Sequence, residues 1–397
     1  MKKLIKSILS QRIINIFYHL PKAFLASAYY GFPTHDLKVI GVTGTDGKTT
    51  TVNMIYQVLK RAGKKVSMVS TINAVVGGRS YDTGFHVTSP DPFSLQKFAE
   101  IAKKEGDEYL ILEVTSHALD QYRFWGIKFD IGVITNITHE HLDYHKTFEN
   151  YFNTKVNLIK NVKFAIINQN LKQKIKREAI TFGIEQGDFN QKDIKLKLKI
   201  PGEYNIENAL ASMAVAFTLE INKNIAQNAL ENFEGIIGRM EEVENEKGVK
   251  ILIDFAHTPN GLEQALKTLR LSTRGKLISL IGCEGYRDVE KRAMMGEIAQ
   301  KLSDFVIVTT VDPRGQLEEI NKQITIGAKK GGAKTDKNFF VIDDRKEAFE
   351  FAINKISKKG DIVGIFGKGH EKSMNLDGKK EIPWSDSEAV REILKDG

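Results

Sequence analysis

One cysteine, Cys283, occurs in 397 residues, so the chain can form no internal disulfide and no cysteine-rich zinc site. That scarcity fits a reducing cytoplasm, the expected location. No apolar run approaches the roughly 18–20 residues that span a bilayer, and the N-terminal stretch has no small-residue cleavage site of the kind a signal peptide carries. Internal repeats and low-complexity segments are absent too. The formal charge of +8 raises the question of nucleic acid, but the lysines are dispersed and no basic block is interleaved with aromatics. No nucleic-acid partner is expected; an anionic small substrate accounts for the balance equally well. At 41% hydrophobic and 27% charged residues the chain is an ordinary globular one, long enough for two or three domains.

What is present is concentrated first at residues 41–51, Gly-Val-Thr-Gly-Thr-Asp-Gly-Lys-Thr-Thr-Thr, directly after a short apolar strand at 37–42. Gly44 and Gly47 let backbone N–H groups close around phosphate oxygens, Lys48 can reach the outer phosphates, and the Thr49 hydroxyl is a natural Mg²⁺ ligand. A helix over 50–61 would aim its positive end at the same anion. Gly44, Thr45, Gly47, Lys48, Thr49 and Thr50 are the expected triphosphate-binding set. Val42 stands where the common phosphate loop has its first glycine, leaving the tighter form Gly-Thr-x-Gly-Lys-Thr.

Short β-branched runs at 39–42, 109–114, 131–135 and 164–168 alternate with helical segments, which predicts an α/β fold with a mostly parallel sheet and helices on both faces. Residues 186–200 are a Lys-rich alternating stretch, read as an edge hairpin or surface excursion, and 205–220 as a strongly apolar helix. New strands follow at 250–254, 277–282, 305–309, 339–342 and 361–366. The expected division is a helical segment at 1–36, a central P-loop ATPase domain at 37–236 and a C-terminal Rossmann-like α/β domain at 237–397. In the first segment Leu4, Ile5, Ile8, Leu9, Ile13, Ile14, Ile16 and Phe17 recur at helical spacing among Lys2, Lys3, Lys6 and Arg12, predicting an amphipathic basic helix broken at Pro21. Two readings stay open for it: docking on the next domain, or contact with an anionic membrane surface through residues 1–30.

Glu113 ends an apolar strand, where a carboxylate would face the phosphate loop and could hold Mg²⁺. Another cluster, Thr-Asn-Ile-Thr-His-Glu-His-Leu-Asp-Tyr-His at 135–145, again follows a strand. Alone it would suit zinc; beside a triphosphate loop, a second magnesium position is the better reading. His139 and His145 are read equally as packing groups or metal partners, Cys283 as a buried small residue, and Trp384 with Asp386 equally as a functional closing segment or as local core and helix cap. By periodicity Lys155 is a surface lysine.

Together these segments resemble the Mur ligase family, ATP-dependent amide-forming enzymes of peptidoglycan precursor synthesis, and within it the UDP-N-acetylmuramoyl-tripeptide synthetases. The resemblance runs from about residue 38 to 389 and adds Gly-Arg-Met-Glu at 238–241, Asp-Phe-Ala-His-Thr-Pro at 254–259, Gly-Cys-Glu-Gly-Tyr-Arg-Asp at 282–288 and Gly-Lys-Gly-His-Glu at 367–371. It implies an ADP-forming ligase that activates a muramoyl-peptide carboxylate as an acyl phosphate and couples it to an amino acid. It implies ATP and two Mg²⁺ ions, with Lys48, Glu113, His141 and Lys155 in catalysis and Thr49, Glu113, His141 and Lys155 at the metals, Lys155 as its N-carbamate. Asn205 and Asn208 match the adenine contacts, and Arg239, Asp254 and His257 the nucleotide contacts of the C-terminal domain. Thr88, Ser89, Thr115, Ser116 and Arg123 match the muramoyl-peptide contacts; Arg287, Asp312, Arg314, Gly367 and Glu371 match positions for the incoming diamino acid. The protein would act on small molecules, as a monomer.

The chain departs from the family pattern twice. The diaminopimelate signature Asp-Asn-Pro-Arg reads Val311-Asp312-Pro313-Arg314 here, which leaves lysine as an alternative to meso-diaminopimelate. Only about 36 residues precede the ATPase strand, where family members carry a uridine-diphosphate-binding domain. A lipid-linked muramoyl-peptide, a poly-amino-acid or folate-type acceptor, or a non-catalytic relative of the fold are the alternatives.

Overall fold

A computed structural model describes residues 11–81 and 89–396. The chain forms two compact units, one of residues up to 137 with 147–199 and 203–233, the other of residues 138–146, 200–202 and 234 onward.

The first unit is built on a nine-stranded sheet. Its strands are β1 (Lys38–Thr43), β2 (Val66–Val69), β3 (Ala74–Val76), β4 (Arg79–Tyr81), β5 (Tyr109–Glu113), β6 (Ile131–Ile134), β7 (Phe164–Asn168), β8 (Ile180–Gly183) and β9 (Phe189–Asn190), in the order β4-β3-β2-β5-β1-β6-β7-β8-β9. All pairings are parallel except β2–β3 and β3–β4. Every residue of β5 and β6 is buried, which is why these strands read as continuous apolar runs: helices cover both faces of the sheet. One such helix, Pro92–Lys104, starts on Asp91, whose carboxylate accepts from Phe93 N, with Pro92 in the first turn where its missing N–H costs nothing. The helix Glu203–Thr218 is buried over most of its length, as its apolar sequence predicts.

Two local expectations are refined. Of the two readings of residues 186–200 the structure takes the surface excursion and not the hairpin: only Phe189–Asn190 joins the sheet, parallel to β8. Beyond it the Gln191 side-chain amide brackets the Leu196 backbone, donating to its carbonyl at 3.1 Å and accepting from its N–H at 3.3 Å, which holds the Lys-rich stretch in turns. Pro21 does not end the N-terminal helix. A π-helical turn, Asn15–His19, precedes it, and Pro21 sits in the first turn of Leu20–Tyr29. The widened turn absorbs the missing donor and the ring clash.

The second unit holds a six-stranded sheet of β10 (Glu241–Val243), β11 (Lys250–Asp254), β12 (Leu277–Ile281), β13 (Phe305–Val308), β14 (Phe339–Val341) and β15 (Ile362–Phe366), in the order β10-β11-β15-β12-β13-β14, with only β10 antiparallel. Helices Glu290–Leu302 and Leu317–Lys330 approach backbone to backbone: a Cβ on Gly296 would overlap Ile324 O, and one on Gly327 would overlap Ala293 O. Beside the sheet, the buried Arg345 guanidinium grips Asp386 with two bonds of 2.8 and 2.7 Å and also donates to Thr310 O and Phe366 O. Trp384 Nε1 donates to the same Asp386 at 2.7 Å, so this pair belongs to a buried network.

Candidate active site

β1 lies at the middle of its sheet between β5 and β6, and the phosphate loop leaves its carboxyl end, where α/β sheets place ligands. The loop is shaped by two close approaches. A Cβ on Gly44 would overlap the Thr135 hydroxyl, and one on Gly47, which has φ of 82°, would overlap the Asn208 amide. Gly47 then caps the helix Lys48–Arg61. Asn136 organises the loop from the end of β6: its carbonyl accepts from Thr45 N at 2.9 Å, and its side chain accepts from Asp46 N at 2.9 Å while donating to Asp46 O at 3.2 Å. Lys48 Nζ reaches back to Gly44 O at 3.1 Å and Thr45 O at 2.8 Å.

Parallel register puts Glu113 level with Val42, one step before the loop. Its carboxylate is 3% exposed and accepts from the Thr49 hydroxyl at 3.1 and 3.0 Å and from Thr71 N at 2.9 Å. A threonine hydroxyl and a carboxylate in contact form a hard-oxygen donor pair, which fits Mg²⁺ and suits thiophilic metals poorly. Lys155 is no surface lysine. It is 2% exposed, its Nζ donates to Gly44 O at 2.5 Å and lies 4.8 Å from the centre of the Tyr151 ring, whose hydroxyl meets Thr45 Oγ1 at 3.0 Å. The structure therefore brings Thr49, Glu113 and Lys155 to one loop. Asn208 joins them through Thr51 Oγ1 at 3.2 Å, and Asn205 is buried on the same helix. Ser89 Oγ donates to Glu113 O at 3.2 Å and lies 3.1 Å from Thr115 Oγ1, while Arg123 donates to Ser89 O at 2.8 Å. The Ser116 hydroxyl is buried with no hydrogen-bond partner among the described residues. Thr88 lies outside the described residues.

His141 belongs to the segment grouped with the second unit. It takes a left-handed conformation, φ 58°, at the start of the short helix Leu142–His145. Beside it the buried Glu140 pairs with the buried Lys291 at 3.1 Å, and His139 faces Asp288 at 3.4 Å.

In the second unit Asp254, at the end of β11, accepts from Met240 N at 2.8 Å and Ala256 N at 2.7 Å, which fixes the Gly-Arg-Met turn against the strand. The Arg239 guanidinium lies 4.5 Å from the Phe255 ring centre, and the His257 and His370 rings contact the same phenyl group. A separate cluster is almost entirely charged. Lys368, fully buried, pairs with Asp312 at 3.1 Å and Glu371 at 2.6 Å. Arg314 lies 3.8 Å from Asp312, and Arg287 lies 3.1 Å from Glu284. Burial alone would push the Glu284 carboxyl up, but the fields of Arg287, Lys291, His257 and Arg314 outweigh it and hold the pKa down at about 2. For Asp312 burial wins over Lys368, and its pKa is raised. Glu284, Asp312 and Glu371 converge within 4.8 Å of one another, and Gly367 N donates to Asp254 O at 3.1 Å.

Asn136, Tyr151, Glu284 and Lys368 take part in these constellations although sequence reasoning did not select them. Asn136, Glu284 and Lys368 lie inside the quoted motifs, so position was the available signal; Tyr151, one helical turn before Lys155, meets Thr45 only through the fold.

A glycine cradle with a buried strand-end carboxylate against the Thr49 hydroxyl is the phosphate site of an enzyme that uses a nucleoside triphosphate with Mg²⁺. The family profiles agree: residues 42–216 match the Mur ligase middle domain, and residues 238–369 match the Mur ligase, glutamate ligase domain. The chain is 38% identical over 402 residues to a UDP-N-acetylmuramoyl-L-alanyl-D-glutamate–2,6-diaminopimelate ligase of Clostridium acetobutylicum, covering 94% of this chain and 81% of the relative. A solved structure of a ligase of the same description superposes with TM-score 0.59 at 26% identity, over 96% of this chain and 83% of the other. The MurF ligase of Thermotoga maritima in complex with ADP shares the fold, with TM-score 0.69 at 22% identity over 94% and 83% of the two chains. The chain belongs to the Mur ligase family, whose members are ADP-forming amide ligases using ATP and Mg²⁺. Among the described residues no helix is long and apolar enough to cross a membrane.

Proposed function

We propose that this ligase joins 2,6-diaminopimelate to the terminal carboxylate of a UDP-linked muramoyl dipeptide. The observation that carries the reading is the presence in one chain of a triphosphate cradle ending in the Thr49–Glu113 contact and of a buried cluster of both charge signs around Arg314. A diamino acid with two carboxylates needs cations and anions at fixed spacing, and Arg287 and Arg314 with Glu284, Asp312 and Glu371 supply them.

The loop amides and Lys48 would hold the β- and γ-phosphates while Thr49, Glu113, His141 and Lys155 hold the metal positions. Bound there, Mg²⁺ would screen the negative charge shared by ATP and the acceptor carboxylate. The γ-phosphoryl group passes to that carboxylate with release of ADP, giving an acyl phosphate. The amino group of the incoming amino acid attacks its carbonyl carbon, and phosphate leaves from the tetrahedral intermediate. Ser89, Thr115, Ser116 and Arg123 would position the acceptor; Thr88 is assigned with them from its motif. Asn205 and Asn208 would meet the adenine, and Arg239, Asp254 and His257 the nucleotide.

Lys155 acts as a carbamate in this reading: its uncharged amine adds CO₂ and releases a proton, so a buried cation becomes an oxygen ligand. A carbamate carbon signal after incubation with ¹³C-bicarbonate, absent in Lys155→Arg, is the expected result; no signal in the wild type sinks the assignment. For the reaction itself, ADP release coupled to product mass decides, with UDP-N-acetylmuramoyl dipeptide and either meso-diaminopimelate or lysine. A product heavier by one diaminopimelate supports the proposal. A lysine product would assign the Asp312 substitution to selection of a side chain without the second carboxylate, and no turnover with either would reject the acceptor.

A further inference from the structure

The N-terminal helix is docked inside out. Its buried side is made of small and polar residues: Asn15, Ala23, Ala26 and Ser27. Asn15 donates to Asp120 at 2.6 Å, and Ser27 Oγ donates to Trp125 O at 2.9 Å. The large apolar side chains face solvent instead. Phe17 is 78% exposed, Tyr18 59%, Phe24 47%, Leu25 58% and Tyr29 77%. Phe17, Pro21, Phe24, Leu25 and Ala28 follow the i, i+4, i+7, i+8, i+11 spacing of one helical stripe. An amphipathic helix serving only the fold would bury this stripe and expose the other side, so the exposed stripe calls for a partner.

Charge identifies the partner. Residues 1–35 contain Lys2, Lys3, Lys6, Arg12 and Lys22 and no aspartate or glutamate, so five of the chain's cations stand in this stretch unopposed by any acid of its own. Two acids from packed elements meet the helix: Asp91, 3.5 Å from Lys22, and Asp120, which accepts from Asn15. A second copy of the chain would bring the same positive charge to the interface and be repelled. An anionic lipid surface meets both features: headgroups neutralise the lysines while Phe17, Phe24 and Leu25 enter the acyl boundary, with Tyr18 and Tyr29 at headgroup level. We infer that the exposed face of residues 13–29 lays this ligase on an anionic phospholipid surface. The inference does not depend on which amino acid or acceptor the enzyme uses.

The test is co-sedimentation of the full chain with phosphatidylglycerol–phosphatidylcholine vesicles and with pure phosphatidylcholine vesicles, at low and high salt. The expected result is at least about tenfold tighter binding to the anionic vesicles, weakened by salt. The triple variant Phe17→Ser, Leu25→Ser, Tyr29→Ser should lose about tenfold or more of that binding, with its melting temperature and its ligase activity without vesicles unchanged, since all three side chains are exposed. Equal binding to neutral vesicles, no binding, or binding that the triple variant keeps would overturn the inference. So would a concentration-dependent dimer that the triple variant abolishes, which would make a second copy the occupant.

Discussion

The phosphate-loop end of the first unit and the charged cluster of the second are built from different materials. Around the loop most contacts run to backbone amides and carbonyls, made by two lysines, side-chain amides, hydroxyls and one carboxylate, and the shape is set by two glycines that have no room for a Cβ. Around Asp312 the contacts are side-chain ion pairs, with Lys368 between Asp312 and Glu371, Arg314 beside the same Asp312, and Arg287 beside a third carboxylate, Glu284. A triphosphate is the same in every such enzyme, so a rigid backbone cradle serves it. In the proposed reading an amino acid must be chosen from many, and a balanced set of charges would do so because any wrong side chain leaves a buried charge without a partner.

If that contrast is right, substitutions in the two regions fail in different ways. The largest effect is expected from Glu113→Ala, which leaves the Thr49 hydroxyl without its acceptor and should lower kcat by about 10²–10³-fold with a raised Mg²⁺ requirement, read by steady-state kinetics across magnesium concentrations. Asp386→Ala is the structural control. It strands a buried guanidinium and should cost about 3–5 kcal/mol in chemical denaturation while the folded fraction keeps its turnover. Arg314→Ala should raise KM for the amino acid about 10–100-fold and leave KM for ATP within about twofold, as expected for one lost charge-assisted contact. The smallest effect is in acid stability. Glu284 has a folded pKa of about 2 against 4.5 for an unperturbed carboxyl, so its contribution is complete above about pH 4.5 and lost as pH falls toward 2. Glu284→Gln should therefore flatten the unfolding free energy in that window by on the order of 3 kcal/mol or less. Asp312, with a raised pKa, works in the opposite sense: its contribution is fully present below the usual carboxylate value and lost as pH rises through the raised one.

The loop was legible in the sequence because its chemistry lies in eleven consecutive residues and its support, Glu113, ends the strand paired with its own. The parallel sheets were legible from the same continuous apolar runs, for strands covered on both faces cannot alternate. The charged cluster was only half legible. Arg314 and Glu371 could be matched to motifs, but the Lys368 bridge depends on β15 delivering its following turn beside Asp312, a tertiary fact. By periodicity alone Lys155 read as a surface residue, and only the family resemblance moved it to the metals; burial under Gly44 comes from where its short helix packs. Of the expected basic amphipathic helix, Leu4, Ile5, Ile8 and Leu9 with Lys2, Lys3 and Lys6 lie outside the described residues, and for the remainder the sequence carries no sign of which face packs inward.

Isotope exchange between labelled ADP and ATP, with the muramoyl-peptide acceptor present and the amino acid absent, tests the division of labour most directly. Exchange reports reversal of the first step alone. The account predicts that Arg314→Ala retains the wild-type exchange rate while Glu113→Ala loses it. Equal loss in both variants would contradict the assignment of phosphoryl chemistry to one region and amino-acid selection to the other.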